Sequence, residues 1–358
     1  MPALLLVAGF ILGRGGLGLL DFNPQSDFVA VLAVVALVVI LFRDGLEVEA
    51  EMLQRAWRLP LRKLVLAMPI TCALVACVTK ALTDLDWTQS FLVGALLSPT
   101  DPVLSSSVVT NPRIPRVVRH SLNLESGLND GLALPAVLAF AYALDPSRSG
   151  FVWWKFVLQD VTLGFAVGAA VGFIASRFRV GPRALYALAV AFGTYGLAHA
   201  VHGNGLIAVF VCAITLGILR PDILESLEQR SEAVIQVVKL GIFLVFGALL
   251  TLHGLFHDGT AAVAIVVFTL LFARPLAVFV SLLGTRTDAF TRAFMGWFGP
   301  KGVATMTFAL LVLGEGIADG ERIFNIAALA VFVSIIAHGL TDTPGANLMA
   351  RHAERTSS

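Results

Sequence analysis

The sequence predicts an all-α polytopic membrane protein of about 12 transmembrane helices, built as inverted repeats with two broken helices that cross. Three observations carry that expectation. The chain of 358 residues is 57% hydrophobic and only 14% charged, where ordinary soluble domains carry roughly 25% charged residues. Apolar runs of roughly 15 to 25 residues recur from end to end, about the length that a hydrocarbon core of ~30 Å demands. Two of these runs, the fourth and the eleventh, are interrupted by proline and glycine at comparable positions of the two halves.

The spans fall at residues 2–20, 28–42, 64–82, 90–108, 118–144, 152–176, 184–200, 204–219, 233–251, 260–284, 291–314 and 322–340. The opening MPALLLVAGFILGRGG counts as the first of them, because it lacks the basic leading segment and Ala-x-Ala cleavage site of a signal peptide. Short polar loops join the spans, so residues 1–340 form one membrane domain. The remaining TDTPGANLMARHAERTSS, residues 341–358, reads as a short disordered cytoplasmic tail. Cys72, Cys77 and Cys212 lie in apolar runs without metal-site spacing and read as packing residues.

Orientation follows from the loops, since cytoplasmic loops carry excess Lys and Arg. One alternating set holds 17 basic residues: Arg43, Arg55, Arg58, Arg62, Lys63, Arg113, Arg116, Arg119, Arg177, Arg179, Arg183, Arg220, Arg230, Arg286, Arg292, Arg351 and Arg355. The other holds five: Arg14, Lys80, Arg148, Lys155 and Arg322. Both termini are therefore expected in the cytoplasm.

The stretch LNLESGLNDG raises a conflict, because Asn129-Asp130-Gly131 has turn composition. A turn there would leave a helix of only about 20 Å behind it, too short to cross. The motif is therefore expected inside the fifth span, with Asp130 near mid-membrane. A charge at the bilayer centre costs at least about 2.5 kcal/mol, so such a residue lines a cavity or marks a function. At helical spacing Ser126 pairs with Asp130 and Glu125 with Asn129, giving two adjacent polar stripes. Gly127 and Gly131 invite a second backbone to approach.

In LLSPTDPVLSSS, Pro99 and Pro102 bracket Thr100 and Asp101 and should break the fourth span, exposing free amides and carbonyls for ions. Asp101 would then compensate the positive ends of nearby half-helices. In FMGWFGPKGVATM, Gly299, Pro300 and Gly302 should open the backbone around buried Lys301. Two interrupted helices so placed are the sequence pointer to a transporter of inverted repeats, with spans three to five and ten to twelve as the related units. Arg274 needs an anionic partner, for which Glu125 is the natural candidate; Lys239, nearer a helix end, reads equally as snorkelling, packing or function. His199, His202, His253, His257 and His338 read as polar residues at interfaces.

The motifs SPTDP, NLESGLNDG, FARPL and GWFGPKGVATM, with LVVILFRDGLEVE earlier, resemble in order and spacing the landmarks of the monovalent cation:proton antiporter superfamily, in its NhaP and sodium/proton exchanger branch. The resemblance runs from about residue 30 to 340. It implies that Asp130 is the essential cation- and proton-binding aspartate, with Thr100 and Ser126 as oxygen ligands, so that Na⁺ sits at Asp130, Ser126 and Thr100. It implies further that Asn129 marks electroneutral exchange, that Asp101 is the acid of the unwound helix and that Glu125 with Arg274 is a structural ion pair. Asp44 matches an acidic residue of the ligand shell, and Lys301 stands where many members carry Arg. A homodimer is expected, and the lack of the extra first helix and long regulatory tail of many members reads either as a shortened start or as a compact form of twelve spans.

A carboxylate at crossing broken helices can hold one proton or one hard monovalent cation but not both, which makes exchange of Na⁺ or Li⁺ for H⁺ the expected activity in an integral inner-membrane protein. K⁺/H⁺ exchange is the alternative within transport, and a cation channel or sensor using the same Asp is the alternative outside it. No cofactor and no nucleic-acid partner are expected. Enzymatic chemistry is not expected either, since no paired aspartates, metal-spaced histidines or Ser/Lys dyad are suitably placed.

Overall fold

The computed structural model describes residues 2–48, 58–101, 106–148, 150–178 and 183–357, and these are helical with no strand among them. α1 (Pro2–Leu12) is shorter than the span expected over 2–20. It stops where GRGGLG concentrates glycine, which loses the most conformational freedom when held in a helix. α2 (Asp27–Leu46) is capped by Ser26, whose hydroxyl accepts from Val29 N, and outruns its expected end, so Asp44 sits on its last turn. Then follow α3 (Leu59–Leu82), α4 (Trp87–Leu96), α5 (Ser106–Thr110), α6 (Arg116–Leu144) and α7 (Trp153–Ser176). The second half holds α8 (Arg183–Ala200), α9 (Gly205–Leu219), α10 (Asp222–Leu249), α11 (Gly259–Ser281), α12 (Ala289–Trp297), α13 (Val303–Gly314) and α14 (Gly320–Ser357). With the interrupted pairs α4/α5 and α12/α13 each counted once, the described residues form the twelve segments expected.

These segments pack as two bundles. α3, α4/α5, α6, α11, α12/α13 and α14 form the first, and α1, α2, α7, α8, α9 and α10 the second; they meet where α2, α9 and α10 lie against α6 and α13. The first bundle consists of the two related units, and the structure adds a local match between them. α3 has a π-turn at Lys63–Ala67 and α11 one at Thr269–Ala273, each followed by one residue and then proline, Pro69 and Pro275. Proline lacks the N–H that would continue the ladder, so the turn before it widens.

The C-terminal stretch is not a disordered tail. α14 continues through Pro344 to Ser357, burying Ala346, Met349 and Ala350. Asp342, also buried, accepts from Ser107 N (3.0 Å) and Val108 N (3.3 Å) in α5. Spacings of three and four among those apolar residues are a helical stripe that the polar composition masks.

Candidate ion site at the crossing of two broken helices

Both interrupted spans open at their prolines. α4 gives way at Leu97, ahead of Ser98 and Pro99, because a residue preceding proline is disfavoured in the α region. α12 gives way at Phe298, ahead of Gly299 and Pro300. The two gaps meet, with Asp101 N donating to Pro300 O at 2.8 Å. Lys301, fully buried, donates from Nζ to Ser98 O (3.3 Å) and Pro99 O (3.0 Å), and its backbone N–H donates to Ser334 Oγ (2.8 Å). Asp101 Oδ2 accepts from Val303 N (3.1 Å), the first residue of α13. Gly299 and Gly302 permit these approaches, since a β-carbon at 299 would overlap the Arg274 guanidinium and one at 302 the Asp101 carboxylate. Pro102, the other proline assigned to the first break, lies outside the described residues.

α6 runs unbroken through ESGLNDG, so Asn129-Asp130-Gly131 is helix and not a turn. Its two polar stripes do different work. Glu125 pairs with Arg274 (Nη1 to Oε1, 2.9 Å), and Arg274 is buried in the bundle. Glu125 also holds a second cation: Lys63 Nζ lies 2.6 Å from Oε2 and donates to Ser121 O at 3.1 Å. Lys63, counted from the sequence among the basic loop residues, is thus a fully buried member of a three-charge cluster. Its sequence neighbours Arg58 and Arg62 disguise it, while the apolar run LVLAMPI directly behind it is the signal that it enters the span. One helical turn on, Asn129 Nδ2 donates to Thr100 O (3.0 Å) and Thr100 Oγ1 (2.8 Å). Its amide nitrogen therefore pins the opened backbone of the first break.

The other stripe, Ser126 and Asp130, faces a cavity of about 470 Å³ between the bundles, with Asp44 of α2, Asp101 and Lys239 of α10 also on its wall. Asp130 is 6% exposed, and its Oδ1 has no hydrogen-bond partner among the described residues. Of the three residues assigned to a Na⁺ site, Asp130 and Ser126 come together on this wall. Thr100 lines a small void behind it, shared with Asp101 and Ser126, with both its oxygens accepting from Asn129. Arg43, Glu47 and Leu224 line the cavity mouth, at helix ends that adjoin the Arg-rich loops.

A second cavity, about 530 Å³, lies toward the opposite face and is lined by Arg148, Asp160, Tyr195, His199, His202 and Glu315, with Val34, Leu138 and Leu311 among its apolar lining. Three helices line both cavities, which allows the barrier to be measured. It spans about 9 Å from Ile40 to Val34 on α2, about 12 Å from Asp130 to Leu138 on α6 and about 10 Å from Ala304 to Leu311 on α13. Leu37, Leu134, Val137, Phe308 and Leu310 fill it, all buried. Among the described residues, Asp130 lines the cavity on the arginine-rich side and not the one on the opposite face. Of the other histidines, His338 is buried in α14, its Nε2 2.8 Å from Trp297 O and its Nδ1 2.9 Å from Ser334 O, so it is a packing residue rather than an interfacial one.

The family model for the transmembrane sodium/hydrogen exchanger matches residues 1–347. The chain is 30% identical over 353 residues to the K⁺/H⁺ antiporter NhaP of Alkalimonas amylolytica, covering 95% of this chain and 60% of that protein. It is 27% identical over 373 residues to the Na⁺/H⁺ antiporter NhaG of Bacillus atrophaeus, covering 96% of this chain and 69% of that one. The fold is similar to the structure of the sodium proton antiporter MjNhaP1 from Methanocaldococcus jannaschii at pH 8, with a TM-score of 0.82 at 19% identity, over 98% of this chain and 91% of that one. The chain therefore spans about 60% of the length of the first of these curated relatives.

Proposed function

This chain belongs to the transmembrane sodium/hydrogen exchanger family, and from that premise we propose that it exchanges a monovalent cation, Na⁺ with Li⁺ as a second substrate, for H⁺ by alternating access. One observation carries the reading: a buried carboxylate with an unpartnered oxygen, Asp130, at the inner end of a cavity beside two crossing broken helices. Such a group takes a proton or a cation but not both, because either one neutralises it. Ser126 supplies a neighbouring oxygen on the same wall. Movement of the first bundle against the second would carry the neutralised Asp130 past the apolar barrier, where the bare carboxylate would meet the desolvation penalty of a buried ion.

Asn129 is neutral and its amide is engaged with Thr100, so Asp130 remains the one exchangeable charge of its helical turn, which supports a one-for-one electroneutral cycle. The Arg-rich loops support a cytoplasmic placement of both termini and of the 470 Å³ cavity. We assign residues 1–340 as the exchanger domain and a homodimer as its assembly, the latter by likeness to the family. K⁺ is the second reading, favoured by the relative that is a K⁺/H⁺ antiporter at 30% identity.

The test is dissipation of a pH gradient in proteoliposomes on adding Na⁺, Li⁺ or K⁺, for wild type and Asp130→Asn. Dissipation by one of these cations in the wild type and none in the variant is the expected result, and it names the ion. An equally active variant sinks the assignment of Asp130. A sustained potential-dependent current under opposed gradients would remove the electroneutral cycle, and cation flux without proton movement would replace the exchanger with a channel.

A further inference from the structure

We propose that Lys239 is a tethered competitor for the cation site: its ammonium serves Asp130 and Asp44 as counter-ion when no substrate is bound, and so sets the affinity for the transported cation. The inference rests on the reading of Asp130 as the exchange site and goes beyond it, to a residue outside the two broken helices and outside α6.

The geometry comes first. Lys239 lies in the membrane-embedded half of α10, half-buried, and lines the same cavity as Asp44, Asp101 and Asp130. Its ammonium makes no hydrogen bond or ion pair with another described residue, and the cavity it lines is the one that Asp44 and Asp130 line. The other charges on that wall are engaged: Arg43 with Glu47 (2.5 Å) and Asp44 (3.8 Å), Asp101 with Val303 N. An ammonium within a span is costly unless it meets an anion or reaches water. Here Lys239 shares the cavity with Asp130, whose buried Oδ1 has no hydrogen-bond partner among the described residues.

Lys239 and Asp44 belong to the second bundle and Asp130 to the first, so this attraction acts across the surface along which the bundles meet. An incoming Na⁺ or K⁺ carries the same unit charge as the ammonium and must displace its influence to bind. Removing the ammonium should therefore tighten cation binding without speeding turnover. A residue that merely packed α10 would show no such split.

The experiment is the rate of pH-gradient dissipation against cation concentration in proteoliposomes, for wild type, Lys239→Gln, Lys239→Ala and Lys239→Arg. The Gln and Ala variants should half-saturate at roughly fivefold to tenfold lower cation concentration, with maximal rates no higher than wild type, and the Arg variant within about twofold of wild type. Cation-dependent thermal stabilisation of the detergent-solubilised proteins gives the same ordering for any variant too weakly active to assay. Unchanged or raised half-saturation in both neutral variants overturns the inference and leaves the exchange reading intact. A shift in Lys239→Arg as large as in Lys239→Gln overturns it too, since shape and not charge would then be responsible. A wild type that neither exchanges nor is stabilised by any of the three cations overturns both.

Discussion

Asp101 and Lys301 each neutralise a helix end belonging to the segment on which the other sits. Lys301 Nζ reaches the carbonyl oxygens of Ser98 and Pro99 just beyond α4, and Asp101 Oδ2 accepts the N–H of Val303 at the start of α13. Orphan carbonyls and amides at helix ends carry partial charges of opposite sign. The exchange of charges therefore holds open two breaks that would otherwise bury unsatisfied backbone.

Replacing Lys301 with Met should strand the carbonyls of Ser98 and Pro99. We expect a loss of about 3 kcal/mol, seen as a lower melting temperature in detergent, together with loss of gradient dissipation. A Lys301→Met protein as stable as wild type would show that the breaks hold without this cap.

The cluster of Glu125, Lys63 and Arg274 predicts an asymmetry. Glu125→Gln abandons two buried cations and should cost about 3–5 kcal/mol, whereas Lys63→Met leaves the Glu125–Arg274 pair in place and should cost about 1–3 kcal/mol. Melting temperatures of the two variants in one detergent decide the matter. Equal damage from both would mean that Lys63 is as necessary to Glu125 as Arg274 is.

Gly131 lies next to Asp130, where a β-carbon would run into the ring of Phe210 on α9, in the opposite bundle. Gly131→Ala should overpack this contact by about 1–3 kcal/mol and slow exchange. Adding Phe210→Leu should recover part of both losses, a non-additivity expected only of touching residues. Strict additivity in rate and stability would argue that the two do not meet during transport.

The barrier between the cavities predicts sidedness. In a background without Cys72, Cys77 and Cys212, an impermeant maleimide should label Asn123→Cys only from the cytoplasmic side and His199→Cys only from the outside. Comparison of everted and right-side-out vesicles reads this directly. Reversed labelling would invert the orientation drawn from the basic loops, and labelling of either from both sides would deny the barrier.

Local signals explain why much of this site is legible before any coordinates. Proline and glycine break helices by themselves, so Pro99, Gly299 and Pro300 announce the two breaks, and spacing of four places Ser126 with Asp130 and Glu125 with Asn129. Mid-span burial demands an anion for Arg274, which leads to Glu125. Composition misleads at three places. Glycine shortens α1, a helical stripe hides in the polar C-terminal residues of α14, and Lys63 stands among loop arginines although it belongs to the bundle.

The sequence by itself determined the twelve apolar segments, where two of them fail, and which polar groups must be buried, because helix period, proline chemistry and the cost of charge in lipid act over a few residues. Only the tertiary structure decided which partners those groups meet. It gave Glu125 a second cation from residue 63, tied Asn129 to Thr100, set Lys239 across a cavity from Asp130, and joined Asp101 to Pro300 through the backbone. Each of these pairings brings together residues from 29 to 199 positions apart. A buried charge takes whichever opposite charge or dipole the packing brings within a few ångströms, and packing of that range is settled by the whole bundle rather than by any one helix.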